Sequence, residues 1–152
     1  MTLFWDDIAE SSYDPISEEY DFEGYVIYRS TDPSFLDQQN ITDVNGSRFL
    51  FEPLKTSTGG WAKFDLINEY QGPSDIPYSG RGVAYHLGNN TGLVHSFIDS
   101  NNVINGQRYF YAIAAYDHGT RVMNIGPSES SKTITLNPET NEIFLDVNTA
   151  SV

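Results

Sequence analysis

Two segments of the chain alternate large apolar side chains with a period of two, and both predict β-strands. The first, Gly24–Arg29, carries β-branched and aromatic residues on both faces, which is typical of a central strand covered on each side. The second, Arg108–Tyr116, is longer and equally rich in aromatic rings. Because successive residues of a strand point to opposite faces, one face carries Tyr109, Tyr111, Ile113 and Ala115, and the other carries Phe110, Ala112, Ala114 and Tyr116.

Four shorter apolar runs predict further strands, and turn-forming residues separate them. They are Thr2–Trp5, Leu93–Ile98, Lys132–Leu136 and Glu142–Val147. Asn137–Asn141 forms the turn of a C-terminal hairpin between the last two. Pro, Gly and Asn recur too often for a long periodic helix. Many short strands joined by Gly and Pro turns favour an all-β fold, an antiparallel β-sandwich.

Residues 34–92 interrupt this regular succession of strands. Gly- and Pro-rich breaks divide the segment, and connections of this length are unusual inside a compact domain. We therefore interpret the chain as one β-sandwich domain, residues 1–152. Residues 34–92 are an insertion with small structures of its own, and residues 137–152 are a C-terminal extension with an extra hairpin strand. The short strands predicted within the insertion are Phe49–Phe51, Ala62–Leu66 and Val83–Leu87.

The charge of the chain and its lack of cysteine exclude several functions. The 152 residues include 21 acidic and 8 basic side chains, for a net charge of −13. Binding to nucleic acid or to anionic lipid needs a basic surface, so neither is predicted. Without cysteine there are no disulfides, zinc–thiolate sites or thiol nucleophiles. No apolar run approaches the ~20 residues of a membrane span, so membrane insertion is not predicted either.

The acidic loops are candidate calcium ligands. Ca²⁺ binds through oxygen atoms, and loop carboxylates supply them. Asp6, Asp7 and Asp14 lie close together in the sequence and are the first choices, which makes Ca²⁺ the one cofactor considered. The alternative, which the weak pattern favours, is that these carboxylates are solvated and bind no metal.

Four aromatic residues of the insertion are candidate ligand contacts: Trp61, Tyr70, Tyr78 and Tyr85. Exposed rings on a loop-rich face stack on sugars or form a protein interface. The alternative is that these rings form a small core under the insertion. No nucleophile or metal-binding motif is present, and 21 acidic residues give paired carboxylates by chance alone. We therefore predict no catalytic residues and no enzymatic activity.

Four segments together resemble a fibronectin type III domain. Leu3–Trp5 is similar to its second strand, Gly24–Arg29 to its third, Val103–Ala115 to its sixth and Ser128–Leu136 to its last. Tyr109 stands at the tyrosine-corner position, where a ring fills the end of the sandwich and its hydroxyl bonds a backbone group of the crossing loop. The core that this resemblance implies consists of Trp5, Tyr25, Ile27, Tyr109, Tyr111 and Ile113.

The strand segments are also similar to modules of large secreted and cell-surface proteins of Bacteroidetes-like bacteria. The resemblance implies an extracellular or cell-surface location within a longer polypeptide. It also implies protein partners or neighbouring subunits of an extracellular assembly. A non-catalytic structural and interaction module is therefore the leading hypothesis. The alternative is a carbohydrate-binding accessory module of a secreted hydrolase, with polysaccharide as the partner.

Two features depart from the family pattern. The usual first strand is absent, since strand-like sequence begins at Met1 with no signal peptide before it, and the insertion is far longer than the normal connection. The first feature favours a processed or cut piece of a longer protein. It also predicts an unpaired sheet edge beside Phe4 and Trp5, to be covered by Ile143–Val147 or by a strand of another chain.

Overall fold

The computed structural model describes residues 1–152. Strands and isolated β-bridges together hold 32% of the residues and the sheets are antiparallel, so the all-β prediction is confirmed. Helical structure is confined to two short 3₁₀ turns, Ile8–Ser11 and Leu36–Gln38, and no helix is long and apolar enough to span a bilayer. The strands are β1 (Thr2–Phe4), β2 (Phe22–Ser30), β3 (Ile41–Thr42), β4 (Arg48–Leu50), β5 (Lys63–Asp65), β6 (Ser96–Ile98), β7 (Phe110–Asp117), β8 (Ile134–Leu136), β9 (Ile143–Leu145) and β10 (Thr149–Ser151).

Four strands form the central sheet, in the order β10-β7-β2-β5. The long members are β2 and β7, and their register places Tyr25 opposite Ala115 and Ile27 opposite Ile113. Both strands consist largely of β-branched, aromatic and small residues, which suit a sheet that is packed on both sides. The pairing therefore gives the central sheet two apolar faces.

One face of the central sheet, here called the covered face, packs against parts of the 34–92 segment and the β8–β9 hairpin. Ile134 of β8 and Ile143 of β9 pack against the buried cluster on this side. Each large apolar side chain buried in this way contributes roughly 1.5–3 kcal/mol to stability. The buried members of the cluster are Val26, Tyr28, Phe35, Tyr85, Leu87, Phe110, Ala112, Ala114 and Tyr116.

The opposite face, here called the groove face, is covered by a second layer only two strands wide, β1 paired with β6. The Trp5 ring lies 5.8 Å from the Tyr25 ring and 6.2 Å from the Phe64 ring, measured between centroids. The second layer therefore lies over β2 and β5. The buried members of the cluster on this side are Leu3, Ile27, Leu54, Ala62, Tyr109 and Tyr111.

A β-bulge shapes the start of β2. The register shifts between Phe22 and Gly24, which leaves Glu23 as an extra residue with no partner opposite it. A Cβ atom at position 24 would lie 2.4 Å from the carbonyl oxygen of Phe64, so glycine alone fits this close approach. The bulge directs the Glu23 carboxylate to Asn68, whose side-chain nitrogen donates a hydrogen bond of 2.9 Å.

The structure corrects two expectations about the insertion. Lys63–Asp65 (β5) lies within residues 34–92, yet it pairs with β2 and belongs to the central sheet. Val83–Leu87 forms no strand, and its pairing is limited to one isolated bridge between His86 and Pro73. Its apolar alternation instead reflects burial, because Tyr85 and Leu87 pack into the covered face without a neighbouring strand.

The C-terminal part also differs from the expectation. The predicted hairpin is present as β8 and β9, but these strands pair only with each other. The position beside β7 is taken by β10, with Ala150 opposite Tyr111. Ser128–Leu136 is therefore not the last strand of the central sheet, and its pairing with β7 is one bridge, between Glu129 and Tyr116. At this bridge the Glu129 carboxylate accepts hydrogen bonds from the hydroxyls of Tyr28 and Tyr85.

Candidate interaction groove

An open groove runs along the groove face between β1 and the C-terminal segment. Its volume is about 960 Å³, and 11 of its 17 lining residues are hydrophobic. Leu3 and Trp5 of the second layer form one wall, and Val147 and Ala150 form the other. The floor is the part of the central sheet that the second layer leaves open, with the side chains of Tyr25, Tyr111, Ile113 and Ala115.

The difference in width between the two layers produces this groove. The second layer has two strands and the central sheet has four. Neighbouring strands lie about 4.8 Å apart, so the second layer leaves room for a further strand beside β1. Ile113, Ala115 and Ala150 lie under this gap and are only partly buried. The groove is therefore an incompletely covered part of the hydrophobic core.

The edge of β1 that faces the groove has unpaired backbone groups. The Trp5 N–H donates to the His95 carbonyl at 3.2 Å, and the Asp99 N–H donates to the Met1 carbonyl at 2.8 Å. Alternate residues of β1 therefore direct their backbone groups towards β6. The backbone N–H and C=O groups of the residues between them, including Phe4, point away from β6 and have no partner strand.

Large apolar side chains are exposed at the rim of the groove. The exposed fraction is 75% for Phe4, 72% for Ile8 and complete for Val147. All three residues line the groove. An exposed strand edge flanked by apolar side chains promotes association with other chains, so proteins either cover such an edge or use it.

The ionisable side chains that line the groove are all acidic, apart from the two tyrosines of its floor. Asp6 and Asp146 line it, and no lysine, arginine or histidine does. Beside it, Glu10 accepts a hydrogen bond of 3.3 Å from the Tyr25 hydroxyl and lies 2.7 Å from the His95 Nε2. Burial and the neighbouring Glu10 carboxylate raise the pKa of Tyr25, so its hydroxyl remains a neutral donor. The groove therefore has an apolar interior and negatively charged carboxylates around it.

Two buried polar atoms at the groove have no hydrogen-bond partner. They are Nε1 of Trp5 and Oδ1 of Asn148, two of the four such atoms in the structure. The Asn148 amide is oriented by its nitrogen, which donates to the Ser131 carbonyl at 2.6 Å. Buried polar groups in folded proteins normally find a partner. The hydrogen-bonding capacity of the chain is therefore poorly satisfied at this groove.

The structure does not bring the candidate calcium ligands together. Asp6 Oδ1 accepts the Ile8 N–H at 3.3 Å, and Asp14 Oδ1 accepts the Ile16 N–H at 2.8 Å. The second hydrogen bond lowers the pKa of Asp14. No group of three His, Asp or Glu side chains is placed to hold a metal ion. Asp6 and Asp14 therefore cap local turns, and with Asp7 they form no metal-binding cluster.

The four aromatic residues predicted as ligand contacts do not form one exposed face. Tyr85 is 6% exposed within the core, and Tyr70 and Tyr78 pack against that core. Trp61 is 37% exposed, and its ring meets the His86 ring edge-on at 5.8 Å. Three of the four rings therefore serve as packing under the insertion, and a sugar-binding role would depend on Trp61.

The residues that the resemblance assigns to the core belong to the groove face and the second layer. The Tyr109 hydroxyl accepts the Ile104 N–H at 3.1 Å and donates to the Asn102 carbonyl at 3.4 Å, so it ties down the loop before β7. Buried members of the set are Tyr25, Ile27, Tyr109 and Tyr111, and partly buried members are Trp5 and Ile113.

A group of buried and partly buried polar side chains on the covered face was not predicted from the sequence. The Lys63 ammonium lies 3.9 Å from the ring centroid of Tyr85 and 4.0 Å from that of Tyr116, and it donates to the His86 carbonyl. Burial lowers the pKa of Lys63 to about 7. Glu129 accepts the Tyr85 hydroxyl at 2.7 Å. Lys63 is two residues from Asp65, and Glu129 lies among serines, so the local sequence gives no signal for such a group.

Two further buried carboxylates were not predicted from the sequence. Asp99 accepts hydrogen bonds from Arg29 at 2.7 Å and from the Tyr111 hydroxyl at 2.8 Å. Glu23 is fully buried, and one of its oxygens has no partner while the other accepts from Asn68. Burial raises the pKa of Glu23 to about 7. The partners of both carboxylates are other side chains of the fold, which indicates structural roles.

Comparison with known proteins identifies no relative: no family model, no curated protein and no solved structure matches this chain. The functional interpretation therefore depends on the geometry of the chain itself.

Proposed function

We propose that this protein is a fibronectin type III-like β-sandwich module that serves as a non-catalytic structural and interaction component of an extracellular assembly. The strand order β10-β7-β2-β5 beside a β1–β6 layer supports the fold part of the proposal. The hydrogen bonds of the Tyr109 hydroxyl to the preceding loop support it as well. In this interpretation the β8–β9 hairpin and most of residues 34–92 are additions to the family pattern.

The observation that carries the functional part is the groove beside β1. It is large, mostly apolar and open to solvent, and it adjoins an unpaired strand edge. Contiguous apolar surface of this kind on a soluble domain marks an interaction site. Phe4, Ile8 and Val147 would all lose their exposure to water in a complex. A protein partner fits an open groove better than a small molecule does, because small molecules bind in enclosed clefts.

The proposed extracellular or cell-surface location follows from the resemblance of the strand segments to modules of bacterial surface proteins. Treating intact producing cells with a protease that does not enter them tests the location, and gel filtration of the native material tests the assembly. We expect cleavage on intact cells and elution well above the mass of the single chain. Protection from the protease together with elution as a free monomer would overturn the proposal.

A further inference from the structure

We propose that the groove beside β1 binds one extended segment of a different polypeptide, which adds a strand to the free edge of β1. Alternate apolar side chains of that segment cover Ile113, Ala115 and Ala150, and a lysine or arginine faces Asp6 or Asp146. The inference rests on the proposed function as an interaction module and specifies which surface makes the contact and with what kind of partner.

The backbone of β1 requires an extended partner. Its alternation leaves the N–H and C=O groups of Phe4 directed away from β6 and towards the groove. A helix satisfies its own backbone groups and offers none to a strand edge, whereas an added strand pairs with the edge directly. β1 has three residues, and its pairing extends to Met1 and Trp5, so the free side of β1 pairs residue for residue with roughly three to five residues of the partner.

The floor of the groove sets the side-chain pattern of the partner. Successive side chains of a strand point to opposite faces, so every second residue of the bound segment faces Ile113 and Ala115. These positions bury apolar side chains best, because the floor is apolar. The intervening positions face solvent and tolerate polar residues. The bound segment therefore has the alternation of an ordinary half-buried strand.

The charge around the groove selects a basic partner and disfavours a second copy of this chain. Asp6 and Asp146 line the groove, no lysine, arginine or histidine is among its lining residues, and the chain carries a net charge of −13. Two copies would bring like charges together, which costs free energy at an interface. A segment that carries lysine or arginine is attracted to the same carboxylates.

A fluorescent probe peptide tests the pairing and the charge. In this peptide valine and threonine alternate between terminal lysines, and binding is followed by fluorescence polarisation. One control peptide has terminal glutamates, and a second has proline in place of the central valine. We expect the lysine peptide to bind, the glutamate peptide to bind at least about tenfold more weakly, and the proline peptide to lose binding. Equal binding of all three, or of none, would overturn the proposal.

Matched variants of the protein test the location. Ala115→Arg places a long cation in the floor of the groove, and Val122→Arg places the same cation at a site that is 92% exposed and outside the groove. We expect Ala115→Arg to weaken binding of the lysine peptide at least about tenfold and Val122→Arg to leave that binding unchanged. If Ala115→Arg does not fold, Asp6→Lys in the rim and Glu139→Lys elsewhere form the equivalent pair.

Amide hydrogen exchange distinguishes strand addition from any other contact. Addition of the lysine peptide should slow exchange of the Phe4 N–H and leave that of Leu3, which already faces β6, unchanged. Equal effects on both would overturn strand pairing. Self-association of the free protein that Ala115→Arg abolishes would identify a second copy as the occupant and overturn the stated one. If the native material elutes as an assembly and no probe peptide binds, the proposed function is supported and this inference is wrong.

Discussion

The two faces of the central sheet are built from the same strands, β2 and β7, yet they are covered to very different degrees. On the covered face, Val26, Ala112 and Ala114 are fully buried under the rings of the long 34–92 segment. On the groove face, Ile113 and Ala115 of the same β7 strand remain partly exposed. Since the strands are shared, the difference arises from what packs on them and not from their own composition.

The comparison separates stability from interaction. The covered face is closed by many residues; it buries Lys63 and partly buries Glu129, and nearby hydroxyls, rings and carbonyls must offset the desolvation of both charges. The groove face is closed by a layer of two strands; the carboxylates that line its groove, Asp6 and Asp146, are exposed, and Asp99 is buried beside Tyr111. We infer that most of the folding free energy depends on the covered face, while the groove face is left available for a partner.

Truncation of a ring on the covered face should have the largest effect. Phe110 is 4% exposed, and Phe110→Ala leaves a cavity that cannot collapse between two packed layers. We expect a loss of about 3–5 kcal/mol in the free energy of unfolding, measured by denaturant titration. Val122→Ala, at a site 92% exposed, is the control and should change stability by less than about 0.5 kcal/mol. A similar loss of unfolding free energy in Phe110→Ala and Val122→Ala would contradict the assignment of Phe110 to the core.

The buried lysine should give the covered face a pH dependence above neutrality. Burial lowers the pKa of Lys63 to about 7 from its ordinary value of 10.5, so the unfolded chain binds more protons between these values. Stability should therefore rise with pH over this window, by an amount of the order of 2–4 kcal/mol. Lys63→Met keeps the packing of the stem and should remove the rise. Denaturant titrations from pH 7 to 10 measure the free energy of unfolding. If it changes with pH equally in the wild type and in Lys63→Met, the prediction is wrong.

The buried carboxylate of the bulge should give the opposite dependence below neutrality. Burial raises the pKa of Glu23 to about 7 from its ordinary value of 4.5, so here the folded chain binds the extra proton. Stability should fall as the pH rises from 4.5 to 7, by about 1–3 kcal/mol. Glu23→Gln, which keeps the hydrogen bond with Asn68, should flatten this part of the profile. Melting temperatures at pH 5 and pH 7.5 measure the difference, and an unchanged profile would contradict it.

The sequence predicted the parts of the molecule in which local pattern and final environment agree. The alternation of Arg108–Tyr116 assigns each side chain to the face that it occupies, because both faces of that strand are packed. It could not predict β10, because Thr149–Ser151 is short, carries no large apolar residue and becomes a strand only by pairing with β7. The part of the groove that Thr149 and Ala150 line was therefore not predicted either.

The buried charges illustrate a second limit of sequence analysis. Lys63 and Glu129 are of residue types that normally lie at the surface. The tyrosine that contacts both of them, Tyr85, comes from a distant part of the chain. Asp6 and Asp14 are the first choices for calcium ligands in a pattern that favours solvated carboxylates, and in the structure each one accepts a backbone N–H of its own turn. Long-range packing decides both cases, and no local pattern encodes it.

The smallest effect on stability is expected at the groove itself, and it is the most direct test of the difference between the two faces. Phe4 is 75% exposed, so Phe4→Ser removes few contacts and should change the free energy of unfolding by less than about 0.5 kcal/mol. The same substitution should lower the fluorescence of a dye that binds apolar surface, because the Phe4 ring forms part of the rim. Phe144→Ser on β9, at a site 57% exposed and away from the groove, should leave the dye signal unchanged. A destabilisation close to that of Phe110→Ala would mean that the ring of Phe4 belongs to a closed core, and the two faces would then no longer differ.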